Sequence, residues 1–196
     1  MLFFCAYTGT PLVLALFLQD GLGYSALHSG LTASAYAVGA TVAAPLAGRL
    51  LPRLGRRVLV GGLAFFGVGV AAAGLVVYGT SGRVAPAVVG LLLAGPLLVA
   101  GVGGGSVITP NQALSLAEVD VRGGSTAGGT LQTAQRIGNA VGAAVISAVF
   151  YAAVREAPVA GAARETQYGR AYALALVVSV LFAAAAWLVA LRSDRG

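Results

Sequence analysis

Lysine is missing altogether from the 196 residues, and cysteine, histidine, methionine and tryptophan occur once each. With Cys5 as the sole thiol, no intrachain disulfide can form and the redox compartment is left open. One His, one Cys and six carboxylates that all lie outside the apolar stretches give no ligand set with metal-binding spacing. Charge is scarce too. Only 9% of residues are Asp, Glu, Lys or Arg, against roughly 25% in an ordinary soluble domain, so a water-soluble fold is excluded. All twelve basic residues are Arg, a codon-composition bias and not a nucleic-acid footprint. The apolar N-terminus lacks the basic n-region of a secretory signal and is read as a mature helix.

What the chain does have is apolar length. Hydrophobic residues make up 58% of it, in blocks that match the ~20 helical residues needed to cross a ~30 Å hydrocarbon core. The expected spans are Leu2 to Leu18, Ala26 to Ala47, Val58 to Tyr78, Ala85 to Thr109, Gly129 to Tyr151 and Ala171 to Leu191. The blocks do not alternate apolar and polar residues, so they read as helices and not as barrel strands. The expected fold is an all-α integral membrane bundle of six transmembrane helices in a single domain, residues 1–196. Arg49, Arg53, Arg56 and Arg57 crowd the connection between spans two and three, which the positive-inside rule puts in the cytoplasm. Alternation then adds Arg122, Arg192 and Arg195 to that side, leaves Arg83, Arg155, Arg164 and Arg170 outside, and makes both termini cytoplasmic. In the last span Tyr172 and Trp187 are expected at the two headgroup levels. A short amphipathic run with Leu114, Leu116, Val119 and Val121, directed to water by Glu118, Asp120 and Arg122, is expected along the inner surface.

Two stretches carry a family resemblance. From Phe17 to Arg57 the chain reads FLQDGLGYSALHSGLTASAYAVGATVAAPLAGRLLPRLGRR, with Leu18-Gln19, Gly23-Tyr24-Ser25 and Gly30-Leu31 before a basic signature made by Gly48, Leu50, Arg53, Gly55, Arg56 and Arg57. From Gly101 to Phe150 it holds GVGGG, Pro110 and VRGGSTAGGTLQTAQRIGNAVGAAVISAVF. These resemble the C-terminal half of major facilitator superfamily transporters, closest to the fourteen-helix drug:proton antiporters. Pro52 stands where the family signature has aspartate, so the acid of the expected gate latch is gone and orientation is left as the role of the arginines. Gln135 and Arg136 stand in exchanged order relative to the family, which turns the charge by about 100° on the helix.

The resemblance implies one half of the major facilitator fold in the cell membrane. Its implied activity is secondary export of drugs or small amphipathic compounds by proton antiport with alternating access. The implied partners are the lipid bilayer, a small-molecule substrate and an N-terminal half outside this chain, with no cofactor, no nucleic acid and no enzymatic activity. Alternatives are a non-transporting scaffold or subunit and a self-dimerising half-transporter. A membrane serine protease using Ser106 and His28 is set aside, because the two lie near opposite faces.

Helical spacing itself picks out candidate residues. Gln132, Arg136, Asn139 and Ser147 fall within an arc of about 80° on the fifth span, a polar stripe that is costly against lipid and suits a substrate cavity or gate. The alternative is an Arg136 that snorkels to the headgroups and anchors the helix. Gly128, Gly138 and Gly142 occupy the neighbouring, packing face. Gln19 and Asp20 at the end of the first span are candidates for binding a cation or substrate at the cavity mouth, or are plain solvated positions. Tyr7, Thr8 and Thr10 around Pro11 are further candidates for cavity lining, whereas His28 reads as structural or solvated.

Overall fold

The computed structural model describes residues 1–116, 124–155 and 161–192. Among these there is no strand. The helices are α1 (Leu2–Leu16), prolonged by one π-helical turn (Phe17–Gly21), α2 (Ala26–Leu54), α3 (Arg56–Thr80), α4 (Pro86–Leu116), α5 (Gly124–Val154) and α6 (Ala162–Arg192). Each, with α1 taken together with its π turn, coincides with one of the six expected spans to within a residue or runs beyond it, and is long and apolar enough to cross a membrane.

The connections are shorter than the apolar blocks suggest, because the helices run on past the hydrocarbon. At about 1.5 Å per residue α2 is roughly 44 Å long, well over the ~30 Å of a bilayer core. The basic stretch between spans two and three is therefore not a loop. Leu50, Pro52 and Arg53 belong to the last turns of α2, Arg56 and Arg57 open α3, and Gly55 alone makes the reversal with φ +53° and ψ −133°, a region open to glycine because it carries no Cβ. Leu114 and Leu116, expected in a surface run, belong to α4; Glu118, Val119, Asp120, Val121 and Arg122 lie outside the described residues. At the opposite end the Ser25 hydroxyl accepts the His28 backbone N–H and caps α2. His28 returns a contact to the same hydroxyl at 3.2 Å, so it works as part of the cap. The Tyr24 hydroxyl donates to the Pro86 carbonyl at 2.7 Å, tying this connection to the start of α4. Burial pushes the Tyr24 phenol above its ordinary range, which keeps it a neutral donor.

Close packing does not follow chain order. α2 runs beside α4, α1 beside α5 and α6, and α3 lies against both α4 and α6, while α1 with α2 and α4 with α5 touch only lightly. Exchanging the first three helices for the last three maps α2–α4 onto α5–α1 and α3–α6 onto itself. Because successive helices alternate in direction, the two triplets have inverted topology. Glycine sets the close approaches. A Cβ on Gly101 or Gly105 would run into the α2 backbone at Tyr36 or Ala40, one on Gly103 into Phe66 of α3, and one on Gly142 into Cys5 of α1. In lipid, where apolar surface gains little by leaving solvent, such backbone contact is a main source of helix association.

The interior holds Phe17, Phe66, Phe150, Leu93, Leu97 and Tyr172, all under 2% exposed. Tyr172 thus departs from the expectation of a headgroup anchor: its ring stacks on Phe17 with centroids 5.0 Å apart. Trp187 is likewise half-buried, with its indole nitrogen enclosed and unpartnered among the described residues. Both rings fall on the protein-facing side of α6, which length and spacing alone do not distinguish from the lipid-facing one.

Candidate functional site

The α5 stripe lies on the flank of the helix that borders α1. Gly138 and Gly142 pack on Phe4 and Cys5 of α1, and Ile146 fills the space over Gly9, which turns Asn139 to the edge of the seam. There the Thr8 hydroxyl donates to Asn139 Oδ1 at 2.7 Å. Gln132 and Arg136 are exposed on the same flank, and Ser147 is half-buried eight residues further along.

The residue before Thr8 extends the patch across α1. Tyr7 faces Tyr36 of α2 with ring centroids 5.9 Å apart, tilted by 48°, and Gly104 of α4 lies under both: a Cβ there would sit 2.9 Å from the Tyr7 ring and 3.2 Å from the Tyr36 hydroxyl. Tyr36 Oη is enclosed beside the Tyr7 side chain, and Gln135 Nε2 is enclosed without a hydrogen-bond partner among the described residues. An orphaned donor in a low-dielectric region is costly. Tyr7, Thr8, Tyr36 and Asn139 thus bring α1, α2 and α5 to one patch over Gly104 of α4, with two phenol rings and an amide already held by a hydroxyl; Gln135 lies one helical turn before Asn139 on α5. Sequence reasoning singled out Asn139, Tyr7 and Thr8 but missed Tyr36 and the side chain of Gln135. Tyr36 sits on a different helix with no polar neighbour to flag it.

The other candidates lie elsewhere. Gln19 and Asp20 are exposed on the π turn, about 18 Å along the axis from Thr8 at 1.5 Å per residue. Thr10 points away from the patch, donating to the Ala6 carbonyl at 2.9 Å with Ser179 Oγ of α6 3.2 Å away. Ser106 and His28 are about 20 Å apart, since α2 and α4 run parallel with Ala40 level with Gly105. Within the basic signature Arg53 and Arg57 are exposed, and a Cβ on Gly48 would lie 3.6 Å from the Thr109 methyl group. Arg56 does more: its Nε donates to the Ala190 carbonyl in the last turns of α6 at 3.1 Å, where the helix dipole favours a cation. With Asn111 it lines a cavity of about 360 Å³ among α1, α3, α4 and α6.

Six membrane-length helices in inverted triplets, with the glycine-rich fourth helix and the basic reversal at Gly55, match a known pattern along the whole chain: residues 1–196 fit the Major Facilitator Superfamily. The chain belongs to that superfamily. A Streptomyces coelicolor protein named as a probable actinorhodin transporter is 36% identical over 152 residues, covering 77% of this chain. The chain spans only 26% of that relative's length. Superfamily membership makes this an integral membrane helix bundle of a transporter family.

Proposed function

We propose that the chain is the C-terminal half of a proton-driven exporter of small amphipathic compounds, and that the Tyr7, Thr8, Tyr36, Gln135 and Asn139 patch is its half of the substrate cavity. The observation that carries this reading is the Thr8–Asn139 hydrogen bond beside the Tyr7–Tyr36 pair. It combines aromatic faces with hydroxyl and amide groups, the mixture a flat amphipathic molecule needs in order to leave the bilayer. Arg136 on the same flank disfavours cations, so the preferred cargo is neutral or anionic. α2 and α5 bury the smallest share of their spans among the six helices, which leaves them free to meet an opposing half in the manner of rocking transporters. Gln132, Arg136 and Ser147 would line the same route, with Gln19 and Asp20 at its mouth. On the orientation argued from Arg49, Arg53, Arg56 and Arg57, both termini face the cytoplasm of a plasma membrane.

The test uses the complete transporter. Single cysteines at positions 132, 139 and 147, in a background lacking Cys5, should react with water-soluble thiol reagents, and a transported compound such as actinorhodin should protect them. Inert cysteines would return the stripe to packing.

A further inference from the structure

On the side of the bundle away from the patch, α3 and α6 cross over small residues and leave an apolar groove of about 810 Å³. Ala71 and Gly74 form its floor, and Leu75 and Leu181, 72% and 63% exposed, form its walls. One end is polar, where Tyr78 and Arg170 close it. Arg170 has no hydrogen-bond or ion-pair partner among the described residues. Arg83 folds over the same end of α3, its Nη1 donating to the Gly79 carbonyl at 2.9 Å and within 3.5 Å of the Tyr78 carbonyl. The described charges at this end of the bundle are Arg83, Arg155, Arg164 and Arg170 against Asp20 and Glu165, a positive excess facing the headgroups.

Length decides between occupants. From Arg170 to Leu181 the groove runs about 16 Å along α6, which is the depth of one leaflet, whereas a membrane-crossing helix would need about 30 Å. Guanidinium groups bind phosphate in a planar, two-pronged fashion, and a phenol at the same level suits the interface. We propose that this groove holds one anionic phospholipid of the leaflet at the Arg83 and Arg170 end. Its phosphate lies on Arg170 with Arg83 beside it, and an acyl chain runs over Gly74 toward the midplane. The site is independent of the transport reading.

The purified chain in detergent, titrated with dioleoyl phosphatidylglycerol or dioleoyl phosphatidylcholine and read by native mass spectrometry, tests this. The first lipid should be retained in preference, as a single tightly held copy. Arg170→Ala and Arg83→Ala should each lower its occupancy by about fivefold, the factor matching about 1 kcal/mol per basic side chain at a membrane surface. Ala71→Leu, which fills the floor, should lower retention of both lipids, and Arg170→Lys should keep the preference for the anionic one. Equal retention of the two lipids by the unaltered chain would overturn the proposal. So would a preference that survives Arg170→Ala, or one lost on replacing Arg53 and Arg57 at the other end.

Discussion

Thr8 and Asn139 stand 131 residues apart in sequence and 2.7 Å apart in space, and their bond tests the site at the finest scale. Hydrogen bonds between membrane helices average about 0.6 kcal/mol in double-mutant cycles. Thr8→Val and Asn139→Leu should therefore couple by about that much in stability. In the complete transporter each should also raise KM for the exported compound, a change that a purely structural bond would not produce. Glycine offers a second residue-scale contrast. Gly128 and Gly142 belong to the same small-residue pattern on α5, yet a Cβ on Gly142 meets the Cys5 backbone and one on Gly128 meets nothing within 4 Å. Gly142→Val should destabilise the bundle by about 1–3 kcal/mol, the usual cost of overpacking. Gly128→Val should stay within about 0.5 kcal/mol, as surface substitutions do, both measured by thermal unfolding in detergent.

At the scale of elements, the reversal between α2 and α3 is a single glycine and one guanidinium. Gly55→Val forces a branched side chain into a backbone region that L-residues avoid, at a cost of about 1–2 kcal/mol. Arg56→Ala removes the bond to Ala190 that ties α3 to the end of α6; half-exposed as it is, its loss should cost about 1 kcal/mol. Arg57→Ala, on an exposed neighbour, should cost nothing measurable. Equal melting temperatures for the Arg56 and Arg57 variants would mean that the tether carries no stability and that the arginines serve orientation alone. What ties α3 to the end of α6 here is a backbone carbonyl held by Arg56.

For the whole molecule the decisive feature is where carboxylates are. The described ones, Asp20 and Glu165, lie on the π turn and in the first turn of α6, not in the patch or in any membrane-crossing middle. A proton-coupled transporter needs a buried titratable group, so on the proposed reading the proton carrier belongs to the other half. The 196-residue chain reconstituted alone in liposomes should insert yet show no accumulation of a fluorescent amphipathic compound under an imposed pH gradient. Co-expression with the missing half should restore it. Gradient-dependent uptake by the chain alone would sink that assignment and make Asp20 the first residue to replace.

How much of this was legible beforehand follows from what each level of structure depends on. Six membrane helices follow from hydrophobic length alone, because in lipid every backbone amide must be satisfied within its own helix. The polar stripe on α5 follows from the 100° step of the helix, and the superfamily from the residues around Gly48 to Arg57 and Gly101 to Phe150. Where a helix meets its neighbours is another matter. Periodicity gives an angle on one helix but not which helix lies at that angle, so Tyr36 came to Tyr7, Arg56 to Ala190, and Tyr172 to Phe17 only through the interleaved order of the bundle. The helix ends beyond the apolar blocks were hidden for a related reason: in the headgroup region polar residues continue a helix as readily as they form a loop, and tertiary contacts such as Arg56 to Ala190 of α6 settle which of the two occurs.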